Sequence, residues 1–314
     1  MNFVVLYCIR NQYEMIEEYI FKHSPCDYSK VDILIYDDDS SEEQIQKLKD
    51  LVSKYKNIEW INENQESKPN PVLSSFQIAD DYLSKVNKNV DWILFFENDV
   101  FAFQNNFWDV LNENLKENKF LEQVGFIGFS SYQNYTQGIK RTNGSPTIGR
   151  GCILDEILNT PHSGWYKDLP NEWYNVDYFV VEVPNWQSVC VNRKLFRENI
   201  EIDFDHEHRL LSVDSASHQF MIKGFYNIVL PKLSVYHDSG ELKKDIKLSI
   251  DSNYSRSNSS HEVFKKTWGW SWGYRNQNLR QEFNMNFNLY TDSIQSKMFN
   301  MKVSDGPKRI EDFE

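Results

Sequence analysis

The sequence predicts an α/β fold, a mostly parallel twisted sheet flanked by helices and followed by an aromatic-rich C-terminal appendage. Three observations predict it. Apolar runs such as NFVVLY, VDILIY and DWILFF alternate with helix-periodic segments through the first hundred residues, the pattern of βαβ units. The runs are continuous rather than alternating, as in strands covered on both faces. Acidic clusters follow two of them, where open α/β sheets bind ligands.

In order, Asn2–Tyr7 is a strand, and Gln12–Lys22 is a helix with Met15, Ile16, Tyr19 and Ile20 at helical spacing. Val31–Tyr36 is the second strand. The helix Glu42–Tyr55 turns Ile45, Leu48, Leu51 and Val52 to one face, with Ser40 or Ser41 as its cap. Asn57–Ile61 is a short strand, Val72–Val86 a helix after Pro69 and Pro71, and Asp91–Phe96 the fourth strand. A helix over Asn106–Asn118 and a strand over Gln123–Ser131 follow. From about Tyr132 to Val176 the pattern breaks into Gly, Pro, Asn, Thr and Trp, a length usual for binding loops or disordered segments. Order returns with VEVPNWQSVCVNRKLF, where a helix starts near Arg193. Asp214–Lys223 is a helix with Gly224 just past its end, and Asn227–His237 is extended. Residues 1–240 form the expected main domain, divided into 1–127 and 128–240, with 241–314 as the appendage.

With 314 residues, 40% of them apolar and 15% aromatic, the chain can build a substantial core and does not read as disordered. A formal charge of -12 argues against nucleic acid as a partner, because that affinity comes from Lys and Arg. Anionic nucleotides remain compatible when a divalent cation screens them. No run approaches the roughly 18–20 apolar residues of a membrane span, and the N-terminus lacks a basic signal-peptide region. The expectation is a cytoplasmic protein, with peripheral membrane contact left open. Cys8, Cys26, Cys152 and Cys190 have no paired spacing, which argues against a zinc or disulfide framework; Cys8 and Cys190 read as core thiols.

Four places carry chemistry. Asp37, Asp38 and Asp39 follow the second strand, where a carboxylate accepts from a base N–H or a ribose hydroxyl; helix capping is the plainer use. Glu97-Asn98-Asp99 follows the fourth strand, and two acids bracketing one residue suit Mn2+ or Mg2+ shared with substrate phosphates. Asp214 opens a helix, as a functional acid or a cap. His237 closes an apolar strand, as a core residue or as a ligand to a borderline metal such as manganese.

Taken in order, YDDDSS, FFENDV, VCVNRKLF and the run from Asp214 through HQFMIKGFYNIVLPKLSVYHDSG resemble the family-2-type glycosyltransferases of GT-A fold, as does CIRNQYEMIEEYIFKH at the N-terminus. The resemblance covers about residues 1–240. It implies a nucleotide-diphospho-sugar donor, a UDP-sugar first, with a divalent metal and a single displacement that inverts the anomeric centre. It implies a carbohydrate or glycoconjugate acceptor and a place in polysaccharide or glycoconjugate synthesis. Carried over, Asp37 or Asp38 contacts base and ribose. Glu97, Asn98 and Asp99 stand at the family's D-x-D, with Asp99 as the better metal ligand and Glu97 as a longer second arm. His237 matches a histidine that helps hold metal and diphosphate, and Asp214 falls at the catalytic base. Val213 stands where an acid is common, so Asp205 and Glu207 stay as alternative bases.

Two other readings compete. Asp203, Asp205, His206 and His208 could serve a metal-dependent hydrolase, although strand alternation would split them between two faces. A GT-A-like domain that binds carbohydrate without catalysis is the other. Tyr132, Tyr135, Trp165, Tyr166, Trp173 and Tyr174 could form an acceptor platform or plain packing. In TWGWSWGY, Trp268, Trp270 and Trp272 alternate as on one face of a strand, suited to docking the tail on the main domain ahead of sugar or membrane contact.

Overall fold

The computed structural model describes residues 2–11, 13–61, 71–116, 119–133, 149–150, 177–181, 183–202 and 212–237. Strand β1 (Phe3–Ile9) leads into α1 (Tyr13–Ile16), which continues as a π-helix over Glu17–His23. β2 (Ile33–Asp37), α2 (Glu42–Lys54), β3 (Ile58–Ile61), α3 (Pro71–Lys85) and β4 (Trp92–Phe96) complete the alternation. Then come β5 (Val100–Ala102), α4 (Phe107–Leu115), β6 (Val124–Gln133), β7 (Gly149–Arg150), β8 (Phe179–Val181), β9 (Val183–Pro184) and β10 (Ser188–Asn192). Last are α5 (Arg193–Asn199), α6 (Ser212–Ile222) and β11 (Tyr226–His237).

The main sheet has the order β3-β2-β1-β4-β10-β6-β11-β5, with β8 also paired to β11. β3, β2, β1, β4, β6 and β11 share one direction, and β10, β5 and β8 oppose it. β7 and β9 pair separately.

Each strand sends alternate side chains to opposite faces. Val5, Tyr7, Ile33, Ile35, Leu94 and Phe96 meet α1, α2 and α4 on one face; Val4, Leu6, Leu34, Ile93 and Phe95 meet α3, α5 and α6 on the other. Both faces being covered explains the continuous apolar runs. Pro71 opens α3, where a fixed φ and a missing N–H cost nothing. Asn192 caps α5 by accepting the Leu195 N–H at 3.1 Å.

Several details differ from expectation. Ser41 occupies the N-cap of α2 without a side-chain capping bond, and Ser40 Oγ is engaged elsewhere, accepting the Asn11 N–H at 2.8 Å. Asp214 is the third residue of α6 and not its cap. Gly224 terminates α6 as expected, at φ +86°, a left-handed conformation natural to glycine. Cys8, Cys26 and Cys190 are buried. Residues 203–210, the loop aromatics Tyr135, Trp165, Tyr166, Trp173 and Tyr174, and the appendage with Trp268, Trp270 and Trp272 lie outside the described residues. Among the described residues no helix is long and apolar enough to cross a membrane.

Candidate metal site at the carboxyl edge of the sheet

β4 ends at Phe96, and the next residues turn the chain back. Glu97 accepts the Val100 N–H at 3.0 Å through its carbonyl, so Asn98 and Asp99 occupy the tip of a tight turn. The returning strand β5 pairs with β11, which sets Val100 opposite His237. The turn and the β11 end therefore converge although 138 positions separate Asp99 from His237 (237 − 99). His237 Nε2 lies 3.4 Å from Asp99 Oδ2 and 3.9 Å from Glu97 Oε2. The three groups offer one ligand atom each, all within 4.8 Å of one another. Glu97 and Asp99 are only 9% and 7% exposed.

This donor set fits a small divalent cation. Two hard carboxylate oxygens and one imidazole nitrogen converge in a largely desolvated place, where two like charges otherwise repel. An imidazole beside carboxylates suits manganese, which takes both oxygen and nitrogen ligands. Asn98 takes no part in the cluster: its side-chain nitrogen faces Met15 Sδ at 4.0 Å.

The ends of β1 and β2 build the adjoining part of the edge. Asp38 N–H donates to Ile9 carbonyl at 2.8 Å, and the Asp38 side chain is 1% exposed. Asp37 has structural duties: its carboxylate accepts the Tyr13 hydroxyl and, at 3.0 Å, the Ser40 N–H. Asn11 and Asp39 both adopt positive φ, 54° and 66°, a conformation that Asn and Asp tolerate best after glycine. Asn11 Oδ1 accepts the Ser41 N–H at 2.7 Å, and Arg10 pairs with Asp39 at 3.5 Å. The two loops thus form one braced rim. Burial and then the neighbouring Asp38 carboxylate raise the Tyr36 phenol far above its ordinary value, so it stays a neutral hydroxyl.

Asp214 sits in the first turn of α6, where the helix dipole favours an anion, and is 1% exposed. Its carbonyl lies 2.6 Å from His218 Nδ1. α6 lies close on β6 because residue 125 is glycine; a Cβ there would stand 2.4 Å from the Phe220 ring. Asn227 on β11 ties the helix down further, donating to the Ser217 carbonyl at 3.1 Å.

The structure thus gathers Glu97, Asp99 and His237 in one cluster and puts Asp37 and Asp38 at the end of β2, with β1 between it and β4. Asp214 belongs to a helix packed on the sheet and lies outside the cluster. Sequence reasoning missed Arg10, Asn11, Tyr13 and Gln187. The first two follow a strand at the carboxyl edge, a position that could have singled them out. Gln187, which lies 2.8 Å from His237 Nδ1, carries no signal in the sequence.

No family model matches the sequence, and no curated protein matches it. Solved structures do. GalNAc-T7, crystallised with UDP, GalNAc and Mn2+, superposes with a TM-score of 0.55 at 12% identity, over 95% of this chain and 57% of that one. S. aureus TarS 1-349 in complex with UDP-GlcNAc gives a TM-score of 0.50 at 13% identity, over 97% of this chain and 77% of that one. A second TarS structure gives a TM-score of 0.50 at 13% identity, over 97% of this chain and 46% of that one. This chain therefore spans about half the length of two of these neighbours. With its helix-flanked, mostly parallel sheet, the chain has the GT-A fold of these solved structures.

Proposed function

We propose that this protein is a metal-dependent glycosyltransferase that moves a sugar from a nucleotide-diphosphate donor, a UDP-sugar first, to a hydroxyl of a carbohydrate or glycoconjugate. The observation that carries the reading is the Glu97, Asp99 and His237 cluster at the carboxyl edge of a GT-A sheet. Fold alone would not carry it, since one fold hosts many functions. The neighbours lend support, because GalNAc-T7 was crystallised with UDP and Mn2+ and TarS with UDP-GlcNAc.

In this reading Asp99 and His237 are the main ligands of Mn2+, or of Mg2+ in its place, and Glu97 is the third. The bound cation would offset charge on the departing diphosphate. Asp38, buried at the end of β2, accepts from the base or ribose; Asp37 braces that turn through Tyr13 and Ser40. Asp214 takes the proton of the acceptor hydroxyl as its oxygen bonds the anomeric carbon and the bond to the diphosphate oxygen breaks. Attack opposite the leaving group inverts that carbon. Residues 1–240 form the transferase unit, acting in polysaccharide or glycoconjugate synthesis.

The test is UDP release from a panel of UDP-sugars, with and without Mn2+, for the wild type and Asp99→Ala. Mn2+-dependent release from one sugar nucleotide, lost in the variant, supports the reading. Release that persists in Asp99→Ala and in chelator contradicts it.

A further inference from the structure

Gln187 stands at the entry to β10 and is 8% exposed. Its carbonyl accepts the Glu97 N–H at 3.0 Å, and its own N–H donates to Asn185 Oδ1 at 3.3 Å. Its side-chain nitrogen lies 2.8 Å from His237 Nδ1 and 3.4 Å from Nε2. One residue therefore holds two members of the cluster, Glu97 through the main chain and His237 through the side chain.

A side-chain amide carries both a donor NH2 and an acceptor Oε1, and that of Gln187 lies against Nδ1 while Nε2 faces Asp99 Oδ2 at 3.4 Å. A cation between Glu97, Asp99 and His237 needs the Nε2 lone pair. The hydrogen must then be on Nδ1, and Nδ1–H needs an acceptor to hold ring and tautomer in place. The Gln187 amide, already against Nδ1, carries Oε1 as that acceptor.

We propose that Gln187 is the positioning residue of the metal site: its Oε1 accepts Nδ1–H and holds Nε2 on the cation. The inference rests on the metal reading above, and its test separates the two.

Mn2+ affinity, measured by the electron-spin resonance of unbound Mn2+, is compared for wild type, Gln187→Met and Gln187→Glu without nucleotide. Removing an outer-shell partner of a ligand histidine weakens binding about 10–100-fold, and that loss is expected for Gln187→Met. Gln187→Glu, whose carboxylate accepts from Nδ1–H, is expected to bind at least as tightly as wild type. Nitrogen-15 spectra of the wild-type histidines provide a second measurement that needs no variant. His237 should carry its hydrogen on Nδ1 with Zn2+, a diamagnetic stand-in. Wild-type binding matched by Gln187→Met, or a His237 whose hydrogen is off Nδ1 with Zn2+ bound, overturns the proposal alone. A wild type that takes up no Mn2+ overturns the metal reading and the proposal with it.

Discussion

Asp80 on α3 and Arg193 on α5 join elements on either side of the long connecting segment, and their separation has a calculable cost. The Asp80 carboxylate accepts from Arg193 Nε and from Arg197 Nε, the latter at 2.8 Å. Arg193 also donates to the Lys88 carbonyl at 3.3 Å, the Val90 carbonyl at 3.2 Å and Ser84 Oγ at 2.7 Å. The Asp80 and Arg193 side chains are 9% and 12% exposed, whereas Arg197 is 54% exposed, so solvent screening discounts its share of the stability. Asp80→Asn leaves the Arg193 charge buried without its counter-ion. Breaking such a pair costs about 3–5 kcal/mol, and the remaining carbonyl acceptors point to the lower end, about 3 kcal/mol. At about 2–4 °C per kcal/mol for a domain of this class, Tm should fall by roughly 6–12 °C. The pH dependence has a definite sign. Burial alone would raise the Asp80 carboxyl, but hydrogen bonds from Arg197 and Arg193 outweigh it and hold the group below its usual 3.8. A depressed folded value means stability that is present above about pH 4 and lost as pH falls through the folded value. Urea unfolding of wild type and Asp80→Asn at neutral pH and near pH 3 checks both points. A neutral-pH loss under about 1 kcal/mol, or a gap that widens in acid, would refute the reasoning.

Two further outcomes follow from the packing and the site. Gly125→Ala drives a methyl into the Phe220 ring and should cost about 1–3 kcal/mol in urea unfolding, while adding Phe220→Leu should recover part of it. Asp214→Asn should lower transferase turnover by about 10²–10⁴ and leave UDP affinity, read by calorimetry, close to wild type; weakened UDP binding with unchanged turnover would move the base elsewhere.

The parallel core was legible because both its faces are covered: Val4 to Ile9, Ile33 to Tyr36 and Trp92 to Phe96 read as unbroken apolar runs. Strand direction was less legible. SVCVN looks the same in either sense, and only tertiary pairing inserts β10 antiparallel between β4 and β6. The E-x-D turn and His237 each read as weak signals, and β5 pairing with β11 is what unites them. Asp37 and Asp38 looked equivalent, yet strand alternation divides them: one is engaged by Tyr13 and Ser40, the other buried past Tyr36. Gln187 was invisible because its role depends on a contact across 50 residues of sequence.

The central claim is that Asp99 and its neighbours hold a cation that binds a nucleotide diphosphate. Calorimetric titration of UDP, GDP and CDP into the protein, with and without Mn2+ and again into Asp99→Ala, tests it most directly. The account predicts Mn2+-dependent binding of one nucleotide, UDP first, lost in the variant. Nucleotide binding indifferent to both Mn2+ and Asp99, or no binding under any condition, would contradict it.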